Sequence, residues 1–154
     1  VGGTVAYGGS IALTGEASGT PAPTFQWKRN GSPVAGATGK SLVLGPADAN
    51  TAGSYTLVAS NSAGSDESAA AVVKVTAPVT VTIDGPGTVA GIPTGPVELG
   101  TVVTLTATAA PGGYALNGWS GDASGVANPL NVLVDAPKAI AAHFGVPVDV
   151  DVLP

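Results

Sequence analysis

The chain lacks cysteine and methionine altogether, and charged residues make up only 10% of its 154 residues. Without cysteine, neither a disulfide framework nor a thiolate metal site can form. Because methionine is missing even at position 1, we expect the chain to be a processed product or an excerpt of a longer protein. Packing and hydrogen bonds must therefore stabilise the fold.

Positive charge is also scarce. Lys and Arg number 5 against 10 Asp and Glu, the net charge is −5 and the pI is about 4.4. This balance excludes a basic nucleic-acid footprint and a polybasic membrane-binding patch. Glycine (23) and proline (13) are frequent, but 44% of the residues are hydrophobic and the mean hydropathy is +0.38. Disordered chains have few apolar residues and many charges, so we expect a folded protein.

No membrane-spanning or targeting segment is predicted. A retained signal peptide would show a cationic segment followed by an apolar stretch, and no such pair of segments occurs. The stretch between Glu98 and Asp122 carries no charge, but Pro111-Gly112-Gly113 interrupts it and apolar residues alternate with threonine. A spanning helix needs ~20 predominantly apolar residues. The stretch therefore indicates a pair of β-strands, and we expect no membrane insertion.

Apolar and polar residues alternate with a period of two along most of the chain. Examples are the runs at residues 10–14, 55–60, 79–84 and 103–108, which are rich in valine and threonine. Turn signals such as Asn30-Gly31 separate the runs at the ~8–12-residue spacing that is typical of sandwiches and barrels. The pattern predicts an all-β fold.

A domain boundary is predicted near Thr76-Ala77-Pro78, where proline interrupts strand pairing before a new alternating run begins. We predict a first domain over residues 1–76, a linker at residues 77–78, a second domain over residues 79–144 and a tail over residues 145–154. Units of about 75 residues bury only ~60% of their unfolded surface and are marginally stable alone. We therefore expect the two domains to be stacked or serially linked.

Two motifs mark the first domain. Gly19-x-Pro21-x-Pro23-x-x-x-Trp27 leads into one predicted strand, and Gly53-x-Tyr55-x-Leu57-x-Ala59-x-Asn61 forms another. Over essentially its whole length, this half resembles the immunoglobulin superfamily, specifically the intermediate-set-like domains common in bacterial surface proteins. The resemblance implies an immunoglobulin-like β-sandwich.

The resemblance also implies roles for particular residues. The two family cysteines fall at Gly15 and Leu57, so packing alone closes the core, with Trp27 as its central side chain. Tyr55 stands where the family's tyrosine corner belongs, its hydroxyl bonding the backbone upstream. Thr51 replaces the aspartate of the family's Arg–Asp pair. We assign Trp27 and Tyr55 to the core, rather than to an exposed pair that stacks on a sugar.

The second domain carries several motifs in a fixed order. After a first hairpin come Gly100-x-x-Val103-x-Leu105-x-Ala107, Gly113-Tyr114, Gly118-Trp119-Ser120-Gly121-Asp122, Asn128-Pro129-Leu130 and Ala141-Ala142-His143-Phe144. This half resembles the divergent form of the internalin-type B repeat, a small β-rich domain found in secreted bacterial proteins as a spacer or adhesion module. Trp119 and Phe144 are the expected apolar anchors, Gly118 and Gly121 are expected to bracket a tight turn, and residues 91–98 to form a longer loop.

The tail alternates valine with other residues, like a strand without an obvious partner: Val146, Val148, Val150 and Val152. It is interpreted either as a linker toward another domain or as a strand donated to a neighbouring copy, which would satisfy its backbone groups. A third alternative, half of a calcium loop at Asp149 and Asp151, lacks the further oxygens and the glycine of such a loop.

The sequence contains no constellation that points to catalysis. His143 is expected to be exposed on the strand face opposite Phe144, and Asp122 and Asp135 are the carboxylates that we can guess as its partners. Most acidic residues are scattered singly, which gives paired-carboxylate chemistry no support. We predict no enzyme activity, no cofactor and no metal. A Lys–Asn cross-link would involve Lys74 first.

Two hypotheses for function follow. The first is a non-catalytic extracellular module, structural or adhesive, of a bacterial surface protein or filament, with copies of itself or neighbouring domains as partners. The low charge favours it, because a free soluble domain usually has about 25% charged residues. The alternative is a carbohydrate-binding or spacer region of a secreted multidomain hydrolase, with polysaccharide as partner and with Tyr7 and Tyr114 as the aromatics that stack on glycan.

Overall fold

The computed structural model describes residues 2–147, and its regular elements there are all β-strands. The all-β prediction is thus confirmed. The chain divides into two compact units, Val1–Thr76 and Ala77–Pro154. Within residues 2–147, no helix is long and apolar enough to cross a membrane.

The first unit is a sandwich of two sheets. Its strands are β1 (Gly3–Ala6), β2 (Ile11–Thr14), β3 (Thr24–Arg29), β4 (Ser32–Pro33), β5 (Ser41–Leu44), β6 (Gly53–Asn61), β7 (Gly64–Glu67) and β8 (Ala71–Ala77). One sheet has the order β1-β8-β6-β3-β4, with β7 also paired to β6, and the other consists of β2 and β5. Strands β1 and β8 run parallel, with Gly3 opposite Val73 and Ala6 opposite Thr76.

The core of this sandwich is built around two aromatic side chains, as predicted. Trp27 on β3 is 3% exposed, and its Nε1 donates a hydrogen bond to the carbonyl of Gly39 at 3.0 Å. Tyr55 on β6 is 2% exposed, and its hydroxyl donates to the carbonyl of Thr51 at 2.8 Å. This bond confirms the tyrosine corner, and burial raises the pKa of the Tyr55 phenol. Both polar atoms are satisfied, so neither ring carries an unpaired donor into the core.

The positions of the two family cysteines face each other across the core. A Cβ built on Gly15 would lie 3.7 Å from the Cβ of Leu57 and 2.6 Å from its Cδ2. Leu57, at 5% exposure, thus fills the space where a disulfide would sit, and glycine at position 15 leaves the room that it needs. Packing closes the sandwich at this point, in agreement with the prediction from the sequence.

Thr51 takes part in a turn instead of an ion pair. Its hydroxyl donates to the Asp48 carboxylate at 3.1 Å, which is the largest cause of the lowered pKa of Asp48. Arg29 donates from its guanidinium to the carbonyl of Ala52, with an Nη2–O distance of 2.8 Å. The guanidinium therefore binds a backbone oxygen at the site where the family pattern has a carboxylate.

The second unit consists of two three-stranded sheets around its own core. Its strands are β9 (Val79–Asp84), β10 (Gly87–Ala90), β11 (Val97–Glu98), β12 (Val102–Ala109), β13 (Ala115–Gly121), β14 (Leu130–Leu133) and β15 (Lys138–Gly145). One sheet has the order β10-β12-β14 and the other β13-β15-β9, and the two-residue β11 belongs to neither of them. Strands β9 and β15 run parallel, with Val79 opposite Lys138 and Asp84 opposite His143. Apart from the short β11, residues 91–98 form the connection that was expected to be a loop.

The two predicted anchors of this unit are buried. Trp119 is 4% exposed, and its Nε1 donates to the carbonyl of Ala127 at 2.9 Å. Phe144 is 6% exposed and belongs to the same cluster as Leu105 and Ile140. Ala77 also packs in this cluster, while it is the last residue of β8. Of the residues expected to form the linker, only Pro78 therefore lies outside a strand.

The expectation that Gly118 and Gly121 bracket a tight turn is wrong. Both lie inside strand β13, where the pairing with β15 has a bulge between Leu116 and Gly118. Their φ angles are +146° and +93°. A Cβ on Gly121 would lie 2.3 Å from the carbonyl oxygen of Ala139. These glycines are needed for a bulge and for close approach of the neighbouring strand, which are the other common uses of glycine in β-structure.

Replacing Gly15 and Leu57 together by cysteine (G15C/L57C) is expected to form a disulfide spontaneously, because the Cβ–Cβ separation of 3.7 Å lies in the range that disulfides require. The bond should raise the free energy of unfolding of the first domain by about 2–4 kcal/mol. A W119F background leaves Trp27 as the only tryptophan, so its fluorescence in a urea titration reports this domain. The reduced double variant is the control. Free thiols after air oxidation would contradict the predicted geometry.

Candidate functional site

The most organised group of polar side chains in the second unit crosses three strands. Asp84 lies on β9, His143 on β15 and Ser120 on β13. The Nδ1 atom of His143 is 3.1 Å from the Oδ2 of Asp84, and its Nε2 atom is 2.7 Å from the Oγ of Ser120. Because a carboxylate only accepts, the imidazole Nδ1–H donates to Asp84, and in the neutral ring Nε2 accepts from the serine hydroxyl. We call these three residues the polar cluster.

The strand pairing of this sheet brings the polar cluster together. Parallel pairing puts Asp84 directly opposite His143, although 59 positions separate them in sequence. His143 lies on the face opposite the buried Phe144 and its side chain is 40% exposed, as expected from the alternation. The sequence-based guess of its carboxylate partner is wrong, because Asp84 holds that position.

The two carboxylates that were guessed are engaged elsewhere. Asp122 accepts the backbone N–H of Ala139 at 2.7 Å. Asp135 forms an ion pair with Lys138, which lowers the pKa of this aspartate. Neither carboxylate therefore contributes to the polar cluster.

The order of groups in the polar cluster is that of a nucleophilic triad, but its setting differs. Nucleophilic catalysis needs donors for an oxyanion and a site that excludes water. The Asp84 side chain is 78% exposed and lies on the outward face of a strand. Between residues 2 and 147, no group of three or more His, Cys, Asp or Glu side chains could hold a metal ion. What the polar cluster does here is to connect three strands by side-chain hydrogen bonds.

The two tyrosines proposed for glycan stacking belong to different units. Tyr7 follows β1 in the first unit and is 40% exposed, and its N–H donates to the carbonyl of Thr76. Tyr114 precedes β13 in the second unit and is 38% exposed. Each is the one exposed aromatic residue of its unit within the part of the chain that the structure describes. Glycan binding by these residues stays a prediction.

The predicted self-assembly strand falls mostly outside the described residues. Val146, which follows the last residue of β15, is 62% exposed. Val148, Val150 and Val152 lie outside the described part of the chain. The cross-link candidate Lys74 lies on the exposed side of β8, opposite Thr4 of β1.

A shallow hollow of about 330 Å³ lies at one end of the first unit. Its lining includes the small or polar residues Ser18, Asn61, Ser65 and Asp66. The amide of Asn61 already donates to the carbonyl of Pro21 at 2.7 Å, so part of this lining maintains the turn beside it. The hollow contains no aromatic platform of the kind that sugars stack on.

An exposed charged group crosses three strands of the first unit. Glu67 on β7 accepts from the Thr56 hydroxyl on β6 at 2.6 Å and from the Lys28 ammonium on β3 at 3.0 Å. The hydrogen bond from Thr56, followed by that from Lys28, lowers the pKa of Glu67 below its ordinary value. This group cannot be predicted from the sequence, because its members come from three separate segments.

Two protein families match the chain, one after the other. Residues 2–75 match the immunoglobulin I-set domain family, and residues 77–146 match the divergent InlB B-repeat domain family. These matches confirm both resemblances and their order. Domains of these two kinds are typical of extracellular and surface proteins and are typically non-catalytic.

The chain matches short parts of much longer curated relatives. Endoglucanase C of Cellulomonas fimi is 49% identical over 78 residues, which cover 47% of this chain and 7% of the enzyme. Hemicentin-1 of Mus musculus is 36% identical over 109 residues, which cover 66% of this chain and 2% of that protein. Contactin of Drosophila melanogaster is 36% identical over 74 residues, or 5% of its length. The chain thus spans only a small fraction of these relatives.

Solved structures of immunoglobulin domains in series also match. The N-terminal four Ig domains of Dscam1 isoform 7.44 align with a TM-score of 0.47 and 19% identity, covering 94% of this chain and 42% of that one. Sidekick-1 immunoglobulin domains 1–5 align with a TM-score of 0.46 and 13% identity, covering 93% and 36%.

Replacing Thr56 by valine is expected to raise the pKa of Glu67 toward its ordinary value of 4.5, because the largest cause of the shift is removed. A carboxyl group whose pKa is lowered by folding stabilises the protein above its unfolded pKa, and that contribution is lost as pH falls through the folded pKa. The wild type should therefore lose more stability than T56V as the pH falls below 4.5. NMR titration of the Glu67 carboxyl checks the shift, with T104V in the second domain as control. Identical titration curves would contradict the assignment.

Proposed function

Because the chain consists of an immunoglobulin I-set domain followed by a divergent InlB B-repeat domain, we propose that it is a non-catalytic structural and adhesive module of a larger extracellular protein. In this role the two domains separate or present other parts of the parent protein, and their surfaces contact neighbours. We place the parent protein at a bacterial cell surface or in a secreted filament. The partners in this proposal are further copies of the chain or adjoining domains.

The main support is the way in which the chain relates to its relatives. It matches 2% of hemicentin-1, 7% of endoglucanase C and 5% of contactin. Domains that recur as small parts of proteins as different as these supply a general function that such proteins share, and not the specific activity of one of them. Spacing and presentation are functions of this kind, whereas a specific reaction is not.

The surface supports contacts with neighbours. Only 10% of the residues carry charge, against about 25% in a typical soluble domain. Several large apolar side chains are also exposed, including Val43 at 70% and Val126 at 76%. A surface with so little charge is suited to coverage by adjoining domains or copies.

A second candidate function is that of an accessory region in a secreted polysaccharide hydrolase. The 49% identity to part of endoglucanase C favours it. In this proposal the chain spaces the catalytic domain from the substrate or binds the polysaccharide itself. Tyr7 and Tyr114 would then provide the stacking surfaces, each within its own domain.

Self-assembly through the tail is the finer form of the first proposal. Val146 is exposed immediately after β15, and the valines that follow alternate as in a strand that pairs with one sheet edge. Addition of this strand to a neighbouring copy would use backbone hydrogen bonds for affinity and alternate valines for specificity.

Deletion of residues 146–154 is expected to convert polymers into monomers if the tail is a donated strand. Light scattering and negative-stain microscopy of the full chain and the deletion measure this. A full-length variant with serine at Val146, Val148, Val150 and Val152 tests the alternation without a change in length. A D149N/D151N variant should still polymerise, which separates strand donation from calcium binding. Monomers in every sample would exclude assembly through the tail.

The polysaccharide proposal is tested with the same proteins. Retention of the full chain on insoluble cellulose, lost in Y7A/Y114A and kept in Y55F, would support binding through the exposed tyrosines. Y55F is a suitable control because Tyr55 is 2% exposed and cannot reach a ligand. A chain that stays monomeric and is not retained would have only the spacer function.

A further inference from the structure

In each unit, the first strand pairs in parallel with the last. In the first unit β1 pairs with β8 over four register positions, and in the second unit β9 pairs with β15 over six. The other pairings described within the two units are antiparallel. The chain therefore arrives in each domain on one partner of a parallel pair and leaves on the other.

Parallel pairing decides how a domain responds to tension along the chain. Val79, at the start of β9, and Gly145, at the end of β15, lie at opposite ends of the strand pair. Pulling them apart slides one strand along the other, so the hydrogen bonds between the strands are loaded together. If both attachment points lay at one end, the strands would separate bond by bond, which needs less force.

A row of side chains crosses the same strand pair. Thr80 donates from Oγ1 to the carbonyl of Lys138 at 3.1 Å, and Thr82 donates to the carbonyl of Ile140 at 3.4 Å. Asp84, two positions further, accepts from His143 at 3.1 Å. These alternate residues of β9 all point to the outer face. The strand pair thus carries side-chain bonds in addition to its backbone ladder.

On the inner face of the strand pair, close packing of Phe144 keeps β15 in position. The ring of Phe144 lies so close to Gly87 that a Cβ there would come within 2.6 Å of its atoms. A Cβ on Gly85 would lie 2.1 Å from the Phe144 carbonyl oxygen. Phe144 is therefore enclosed beneath the turn that follows β9, and β15 cannot slide unless this ring leaves its position.

We infer that the second domain resists stretching of the chain by shear of β15 against β9, and that Thr80, Thr82 and the Asp84–His143 bond strengthen this resistance. The polar cluster then has a mechanical role, since Ser120 connects the pair to a third strand through His143. The inference goes beyond the proposed function, because it concerns one domain under force whatever the parent protein binds.

Single-molecule force spectroscopy on the full chain tests the inference. The natural chain has no cysteine, so two introduced cysteines are unique attachment points. P78C with V146C loads the strand pair in shear. P86C with V146C places both attachments at one end and loads it in peeling, while all three positions are exposed. Shear is expected to need the clearly higher unfolding force. Equal forces in the two geometries would overturn the proposal.

The side-chain row is tested by T80V/T82V, which keeps side-chain shape and removes both hydroxyls. In the shear geometry, unfolding at a given force is expected to be about tenfold faster, as expected for two hydrogen bonds of ordinary net strength. T106V/T108V on β12 is the matched control and should unfold at the wild-type rate. Equal unfolding rates for the two double variants would show that Thr80 and Thr82 do not contribute to the resistance to shear. Trp119 fluorescence in a W27F background checks that the second domain of each variant is folded. The comparison of the shear and peeling geometries does not depend on these variants.

Discussion

The parallel pairing between the first and last strands fixes where the chain enters and leaves each domain, and several other features depend on its register. In the second domain it sets the register that places Asp84 against His143 and turns Phe144 into the core. In the first domain it places β1 beside β8, whose neighbour β6 carries Tyr55 and Leu57.

Without disulfides, the stability of each domain depends on its large buried side chains. These must pack closely, and their polar atoms must have hydrogen-bond partners. Each tryptophan donates its indole N–H to a backbone carbonyl, Trp27 to Gly39 and Trp119 to Ala127. Tyr55 does the same through its hydroxyl. In the described part of the chain, no buried side-chain nitrogen or oxygen lacks a hydrogen-bond partner. Small domains have little stability to spare, and an unpaired buried donor would cost about 1–3 kcal/mol.

The fold could be predicted from the sequence to a large extent, whereas the polar cluster could not. Alternation places His143 on the strand face opposite the face that carries Phe144. The motifs place Trp27 and Tyr55 in a core. A period of two says which face a residue occupies but not which strand lies beside it, so the sequence alone does not identify Asp84 as the partner of His143. The role of Gly118 and Gly121 is hidden in the sequence for a related reason. Closely spaced glycines beside polar residues, as in Asn117-Gly118 and Ser120-Gly121-Asp122, are typical of turns, and their use in a bulge becomes visible only once the neighbouring strand is in place.

The fit between Gly15 and Leu57 has an evolutionary consequence. A single mutation that adds a side chain at Gly15 requires the end of the Leu57 side chain to move, since the new Cβ would lie 2.6 Å from Cδ2. A single mutation that shortens Leu57 leaves a cavity that costs about 2–5 kcal/mol. An exchange of packing for a disulfide that begins at Leu57 therefore passes through a less stable intermediate. Positions 15 and 57 are therefore expected to change together. A lineage that has either the cysteine pair or the glycine–leucine pair tends to keep it.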